Sequence, residues 1–346
     1  MDLTTWTANT SPLDMQESNA NMQANSSMNS SLQCTEMAQF QHYLLPIVYS
    51  VVFVFGLLEN MTALYVLNKQ WKRFPHFTAF TLSIIVIDIL FAFSLPFMIS
   101  YYHRGNDWIF GNFLCKVVGC LFFCNMYSCT IFLFCICIDR YIAVMHPIKY
   151  LQLQNSFYRA VTSFTIWMVI ILAAVTFILL GSKTRMFSNG KHACMENFSH
   201  DFWTKRLATF STISTVLGFV TPFLTILVCY SIIVRRIIDM TQKKKGSQYL
   251  KKKSLCTIAG VVMVLTICFL PFHVVQMVHI LIRTNVLPYP GWLHFTCVAK
   301  PIVTVMASLN CCLDPFVYYF SIDNFDFLPA CFARRPERII QKESCS

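Results

Sequence analysis

Residues 112–145 read NFLCKVVGCLFFCNMYSCTIFLFCICIDRYIAVM and are apolar over most of this length. A bilayer with a hydrocarbon core about 30 Å thick is crossed by roughly 20 apolar residues of helix, so this run is long enough to span it. Six runs of similar character extend outward from it in both directions. Their approximate limits are 44–68, 77–102, 157–181, 207–236, 253–283 and 293–320. The sequence therefore predicts a chain that crosses the membrane seven times.

The composition supports a membrane protein with an all-α fold. Hydrophobic residues make up 56% of the 346 residues and charged residues only 12%, against about 25% charged in a typical soluble domain. Strands of a membrane barrel would alternate in polarity over about ten residues, whereas these runs are longer and apolar on most faces. We predict a disordered, glycosylated tail at 1–43, a seven-helix bundle at 44–320, and a short amphipathic eighth helix with a tail at 321–346.

The distribution of basic residues predicts the orientation. Most of the 27 Lys and Arg lie on the side that holds the C-terminus, including the run from Lys243 to Lys253. The positive-inside rule places this side in the cytosol and the N-terminus outside, in a multi-pass plasma-membrane protein. Anionic lipid of the inner leaflet is the expected partner of these cations, and nucleic acid is not expected.

Sequons and cysteines add modification sites. Glycosylation sequons on the predicted outer side begin at Asn9, Asn25, Asn29 and Asn197. The cysteines predicted to lie outside are Cys34, Cys115, Cys194 and Cys297. An even number in an oxidising space permits two disulfides, whose pairing this argument leaves open. Cys331 and Cys345 follow the last run and are predicted palmitoylation sites.

Strongly polar residues recur inside the apolar runs, where burial is costly. They are Asn60, Asp88, Asn125, Asn310 and Asp314. Polar groups within a membrane indicate function by default, although hydrogen bonding between helices is the structural alternative. Their order along the chain predicts one polar site near the middle of the membrane.

Short motifs in a fixed order mark the second to seventh runs. They are Asp88, Trp108-Ile-Phe-Gly, Cys115, Asp139-Arg140-Tyr141, Trp167, Pro222, Tyr230, Cys268-Phe-Leu-Pro271 and Asp314-Pro-Phe-Val-Tyr318. This series resembles that of the rhodopsin-like G-protein-coupled receptors along the whole membrane portion. The resemblance implies a receptor rather than an enzyme, with a heterotrimeric G protein and arrestin as cytosolic partners.

The resemblance also implies how the cytoplasmic end works. Asp139 beside Arg140 can hold a resting ion pair that is released to a partner. Pro222, Pro271 and Pro315 each remove a backbone hydrogen bond and predict kinks about which helices pivot as the sixth swings outward. The residues expected to serve coupling and activation are Asp139, Arg140, Tyr141, Tyr230, Phe269, Pro271, Asp314, Pro315 and Tyr318.

Two further sites are implied by the family. Its members hold a sodium ion with residues that match Asp88, Asn125, Asn310 and Asp314. Oxygen ligands suit such a hard cation, although Cys129 stands where a serine usually contributes. No other cofactor is expected. The family pattern also implies disulfides from Cys115 to Cys194 and from Cys34 to Cys297.

Further stretches of the runs are similar to the purinergic branch, which includes nucleotide, lysophospholipid and cysteinyl-leukotriene receptors. The similarity rests on Leu95-Pro-Phe, Asn125-Met-Tyr127-Ser, Phe269-Leu-Pro271-Phe-His273 and Leu313-Asp-Pro-Phe-Val-Tyr-Tyr-Phe320. The ligand-binding positions that carry over are Tyr101, Phe122, Phe123, Met126, Tyr127, His273, Gln276, Lys300 and Thr304. Additional cations can attract an anionic ligand to the outer opening of the helix bundle. They are Arg104, Lys116, Lys205 and Arg206.

These positions predict an anionic ligand. His273 and Gln276 share a helix face, and Lys300 adds a positive charge to the same cavity. Gln276 stands where strong nucleotide binders carry Lys or Arg, which argues against a triphosphate. The predicted ligand is a lysophospholipid, a nucleotide or an acidic conjugate. Phe269 replaces the family's common Trp.

Two alternatives stay open at this point. Histidines on the outer side would suit a proton-sensing receptor, since they titrate near neutral pH. They are His42, His103, His192, His200, His279 and His294. A transporter or channel would show repeat symmetry or broken helices around a substrate site, and the sequence shows neither.

Overall fold

The computed structural model describes part of the chain in detail. The described residues are 39–70, 78–152, 156–180, 185–186, 190–194, 208–241, 248–284, 286–287 and 291–319. Several of the predicted features lie outside them. These are the tail sequons, Asn197, Cys34, Lys205, Arg206, the eighth helix, Cys331 and Cys345.

Helices account for nearly all of the described residues. In chain order they are α1 (Gln41–Gln70), α2 (Thr78–His103), α3 (Gly111–Met145), α4 (Pro147–Gln152), α5 (Ser156–Leu180), α6 (Ala208–Thr215), α7 (Thr221–Thr241), α8 (Gln248–Val264), α9 (Leu270–Arg283), α10 (Gly291–Ser308) and α11 (Asn310–Tyr319). Two π-helical turns, Val216–Val220 and Leu265–Phe269, join α6 to α7 and α8 to α9. Strands β1 (Arg185–Met186) and β2 (His192–Ala193) pair as a short antiparallel hairpin.

Seven segments are long and apolar enough to cross a membrane, which confirms the predicted architecture. We call them the first to seventh spans, and they are Gln41–Lys69, Ala79–His103, Gly111–Met145, Phe157–Leu179, Ala208–Arg236, Leu255–Arg283 and His294–Val317. The short helix α4, between the third and fourth spans, was not predicted.

Burial distinguishes central spans from peripheral ones. Half of the most apolar window is buried in the second, third, sixth and seventh spans, but only 11% in the fourth. Large apolar side chains on the fourth span, such as Phe164, Leu172 and Leu179, are exposed. Because such a surface is stable in lipid and not in water, the fourth span is the one most exposed to the bilayer.

Two of the predicted proline positions coincide with irregular helix geometry. Pro222 and Pro271 each follow a π-helical turn almost directly. A proline ring collides with the preceding turn and leaves a carbonyl without its amide partner, and a wider turn relieves both problems. In the seventh span the break between α10 and α11 falls at Leu309, more than one turn before Pro315.

Candidate functional site

The polar residues predicted for the middle of the membrane come together. Asn125 Nδ2 donates to Asp88 Oδ1 over 2.6 Å, and Asn310 Nδ2 donates to Asp314 Oδ2 over 3.3 Å. One ligand atom each of Asp88, Cys129 and Asp314 lies within 4.8 Å of the other two. All five side chains are buried. The second, third and seventh spans therefore converge on a single pair of carboxyl groups.

Several oxygens of this cluster are left unsatisfied. Asp88 Oδ2, Asp314 Oδ1 and Asn310 Oδ1 are buried and have no hydrogen-bond partner among the described residues. Burial of such atoms is costly unless another group satisfies them. A small hard cation prefers oxygen ligands, and this cluster offers three, two of which belong to acidic side chains. The site therefore fits the implied sodium ion.

Asn60 has a different role from these ligand candidates. Its Nδ2 donates to the backbone carbonyl of Cys311 over 2.8 Å and to that of Gly56 over 2.9 Å. The side chain thus ties the first span to the seventh beside the carboxyl pair.

At the end of the third span that holds Arg140, the structure corrects the predicted partner of Asp139. We expected Arg140, but the carboxylate accepts hydrogen bonds from Nε of Arg159, over 2.9 Å, and from Nη2 of the same residue. Consecutive residues on a helix do not face each other, whereas the fourth span presents Arg159 directly to Asp139. The third and fourth spans are therefore joined by an ion pair.

Arg159 also contacts the short helix α4. Its guanidinium lies 5.6 Å from the ring centre of Tyr150, within the range of a cation–π interaction. Burial, followed by the proximity of Asp139, raises the pKa of Tyr150. The phenol therefore stays protonated at physiological pH.

The other predicted activation residues have the following surroundings. Arg140 is buried with 8% exposure, and α8 packs against α3, α7 and α11 around it. Tyr230 is half-buried against the core, and the Tyr141 ring lies 6.4 Å from that of His146. Phe269 is fully buried at the end of its π turn, directly before Pro271. The side chain of Tyr318 lies outside the described part of the chain.

In the outer half, His273 is the centre of a compact aromatic site. Its ring stacks on Phe219 at 4.2 Å and lies 5.7 Å from the ring of Tyr127. Thr215 Oγ1 is 3.3 Å from His273 Nδ1. Nε2 of His273 is buried and has no hydrogen-bond partner among the described residues. The third, fifth and sixth spans thus meet at this buried histidine.

Sequence reasoning missed Thr215 and Phe219. Both lie beside or within the π turn at Val216–Val220, which inserts an extra residue into the fifth span. The insertion rotates the preceding turns relative to the following ones, so a regular helical pattern assigns their faces wrongly. The nearby Pro222 was the one signal of such an irregularity.

The remaining predicted ligand residues in the spans have these neighbours. Phe122 packs 5.6 Å from Phe272, Phe123 packs 6.2 Å from Phe177, and Met126 is buried in the core. Gln276 Nε2 donates to Ser211 Oγ over 3.2 Å, and Thr304 Oγ1 donates to the Lys300 carbonyl over 2.8 Å. Lys300 itself is half-buried on α10.

Three more predicted ligand residues have partners within the protein. The Tyr101 ring is fully buried between Tyr102 and Trp108, and its hydroxyl accepts from the Cys194 amide over 3.4 Å. Lys116 donates to the Ile178 carbonyl over 3.0 Å, where a cation stabilises the C-terminal turn of α5. Arg104 is exposed and lies 3.4 Å from Ser100 Oγ.

A disulfide fixes the loop over the outer end. Cys115, in the first turns of α3, is bonded to Cys194, which follows β2. The Trp108 amide donates to the His192 carbonyl over 2.9 Å, so the same hairpin is also held by a backbone hydrogen bond. Cys297 is disulfide-bonded as well, and its predicted partner Cys34 lies outside the described residues.

Comparison with known proteins identifies the class. Residues 59–318 match the model of the family described as 7 transmembrane receptor (rhodopsin family). Cysteinyl leukotriene receptor 2 of Sus scrofa is 30% identical over 312 residues, covering 88% of this chain and 86% of that receptor. Lysophosphatidic acid receptor 4 of Homo sapiens is 31% identical, covering 84% and 78%, and G-protein coupled receptor 183 of Mus musculus is 32% identical, covering 82% and 79%.

The chain therefore belongs to the rhodopsin family of seven-transmembrane receptors. Within that family it is a member of the purinergic-like branch, as the motifs predicted. It is a multi-pass plasma-membrane signalling receptor, and the enzyme and transporter classes are set aside.

Proposed function

We propose that this receptor binds an anionic lipid or acidic conjugate from outside the cell and transmits its binding to a heterotrimeric G protein through Arg140. The observation that carries the ligand site is the buried Nε2 of His273, which has no hydrogen-bond partner within the described part of the chain. A buried nitrogen of this kind would be satisfied by a hydrogen bond to a polar atom of a bound ligand. The surrounding rings of Phe219 and Tyr127 suit an apolar chain.

The anionic preference is supported by cations further out on the sixth and seventh spans. Lys300 and Arg283 both lie within electrostatic range of His279, whose Nδ1 is 3.5 Å from Thr296 Oγ1. Sequence reasoning selected Lys300 but not Arg283. Positive charge at the outer ends and aromatic rings deeper in match a ligand with an acidic head and an apolar body.

The names of the relatives support the same chemical class. Two of the three are receptors for cysteinyl leukotriene and for lysophosphatidic acid. Gln276, hydrogen-bonded to Ser211, adds no charge to the cavity, which favours a single acidic group over a triphosphate.

The proposed orientation places the N-terminus outside. The Cys115–Cys194 bond is at the opposite end of the third span from Arg140. Disulfides persist in oxidising compartments, so this end is expected to face the exterior. The basic residues near the other end then face the cytosol, where a G protein and arrestin would bind.

We also propose that the Asp88–Asp314 site binds sodium and stabilises the resting state. The three unsatisfied oxygens of Asp88, Asp314 and Asn310 support this assignment. The ion would supply the positive charge that two adjacent buried carboxyl groups require.

The ligand proposal is tested by substitution of Lys300. Cells carrying a G-protein dissociation sensor would be exposed to lysophosphatidic acid, a cysteinyl leukotriene and ATP in turn. Lys300→Gln is expected to lower the potency of the active acidic lipid about tenfold, because one charge-assisted contact is lost. Lys191→Gln is the matched control, since Lys191 is a cation at the same end that was not assigned to the ligand site, and it should leave potency unchanged.

The same assay separates the alternatives. Equal potency in the wild type and Lys300→Gln would contradict the anionic-ligand proposal. A response to ATP alone would favour a nucleotide. Proton sensing would appear as a response to a change between about pH 6 and 8 without added lipid, and a flat response over that interval would dismiss it.

A further inference from the structure

The ion pair between Asp139 and Arg159 joins two spans that pack side by side. The side chain of Asp139 is 13% exposed and that of Arg159 is 8% exposed, and two hydrogen bonds link them. Charge-assisted hydrogen bonds shielded from solvent are among the stronger polar contacts in proteins. Removal of one member of such a pair leaves the other charge buried without compensation, which favours a new contact with another charged group.

Arg159 is held from a second side. The ring of Tyr150 on α4 lies 5.6 Å from its guanidinium, so Arg159 lies between the carboxylate and an aromatic face. The third and fourth spans and the short helix α4 are therefore connected through this one side chain.

The acid that Arg159 binds is scarce in this part of the chain. Asp139 is the one acidic residue in the sequence from 109 to 195, and it lies next to Arg140. The sixth span, Leu255–Arg283, is preceded by Lys251, Lys252 and Lys253 and not by an acid. Arg140 and Arg159 are thus the two cations that compete most directly for this carboxylate.

The pair also lies away from the moving part of the bundle. In the family mechanism the sixth span swings outward, and Arg159 is on the fourth span, which packs against the third. The Asp139–Arg159 contact can therefore persist in both the resting and the coupled states.

We propose that Arg159 is a regulatory positioning residue, which occupies Asp139 and so lowers the cost of releasing Arg140 to the G protein. This inference rests on the proposed coupling through Arg140. When Arg159 is absent, the buried carboxylate is expected to turn to Arg140 and hold it in place. Arg159 thus favours coupling.

The test uses purified, ligand-free receptor in lipid nanodiscs. It measures the Kd of the receptor for nucleotide-free heterotrimeric G protein, and one G protein of each class is tried. Arg159→Ala is expected to weaken binding about three- to tenfold, the effect of one charge-assisted contact. Arg159→Lys retains the charge and should recover most of the loss. Lys69→Ala is the matched control, because Lys69 also lies over an aromatic ring, that of Tyr65 at 4.5 Å, but on the first span. It should bind like the wild type.

A double-mutant cycle separates this effect from general damage to the fold. Asp139→Asn is expected to bind the G protein more tightly than the wild type, and adding Arg159→Ala to it should change nothing further. If Arg159→Ala folds poorly, Arg159→Gln keeps the volume and the cycle is run with it.

The outcomes distinguish the two proposals. Unchanged or tighter binding by Arg159→Ala, or an equal effect of Arg159→Ala with and without Asp139→Asn, would overturn the role of Arg159. If Arg140→Ala bound as well as the wild type, or if no G protein in the panel bound, the coupling proposal itself would fail.

Discussion

At the scale of single residues, the receptor buries two carboxyl groups in the middle of its bundle. Asp88 and Asp314 each use one oxygen in a hydrogen bond to an asparagine, and each has another oxygen without a partner among the described residues. An arrangement of this kind is costly in a membrane protein unless something compensates for it. The proposed sodium ion would compensate for it, and the stability of the receptor would then depend on the salt present.

Sodium is expected to raise the melting temperature of the purified receptor. A ligand that binds the folded state stabilises it by mass action, so Tm should be a few degrees higher in sodium chloride than in choline chloride of the same ionic strength. Asp88→Asn should abolish this difference. Asp107→Asn, which changes an acid of the outer loop, should retain it. A sodium effect that persists in Asp88→Asn would exclude this site.

A close contact in the aromatic site gives a second prediction. A Cβ atom added at Gly218 would lie 2.7 Å from Cδ1 of the Tyr127 ring, whereas one added at Gly260 would lie 3.9 Å from Val317. Gly218→Ala is therefore expected to destabilise the receptor by about 1–3 kcal/mol, the usual cost of overpacking. Gly260→Ala should be neutral or stabilising, since alanine is the better helix former.

Thermal unfolding of the two glycine variants checks this contact. Tyr127→Leu removes the ring edge and should rescue Gly218→Ala. An equal Tm for Gly218→Ala and Gly260→Ala would mean that the fifth span does not press on Tyr127 as described.

Sequence patterns predicted some residue contacts and not others. The convergence of Asp88, Asn125 and Asp314 was predicted, because polar groups inside apolar runs find hydrogen-bond partners mainly in one another. The partner of Asp139 was not, because adjacency in sequence suggested Arg140 while the contact depends on how the fourth span packs. The contact of Tyr101 was not predicted either, because its hydroxyl accepts a hydrogen bond from the Cys194 amide, which is distant in sequence.

At the scale of elements, the two π turns are the main departures from regular helices. One precedes Pro222 in the fifth span and the other precedes Pro271 in the sixth. Proline alone predicted that these helices would be irregular, but not the type of turn. Whether a helix widens or kinks depends on neighbouring spans, and the π turn of the fifth span directs Phe219 onto His273 of the sixth.

Pro271→Ala is expected to reduce activation more than it reduces folding. The substitution restores a backbone amide and removes the ring, so the sixth span can close its regular hydrogen bonds and becomes harder to bend. Agonist-driven G-protein activation per receptor at the cell surface should fall several-fold. Pro46→Ala in the first span is the control and should signal normally.

Surface labelling and a G-protein sensor measure the two quantities in the same cells. Full activation by Pro271→Ala at normal surface density would show that the proline and its π turn are not needed for the movement of the sixth span.

At the scale of the whole molecule, the seven-span architecture was predictable and the functional detail less so. Each span is set by the length of an apolar run, a local property that does not depend on packing. The short helix α4 and the break at Leu309 depend on contacts between elements and were not predicted. The outer cations of the sixth and seventh spans and the buried Arg140 define the two ends of the bundle between which a signal would pass.

The central claim is that ligand binding at the outer end is transmitted to Arg140 at the inner end. The most direct measurement is G-protein activation by the wild type and by Arg140→Ala, at matched surface density, with the most potent acidic lipid found for the wild type. We predict that Arg140→Ala still binds this lipid but loses activation almost completely. Equal activation by the two receptors would contradict the account.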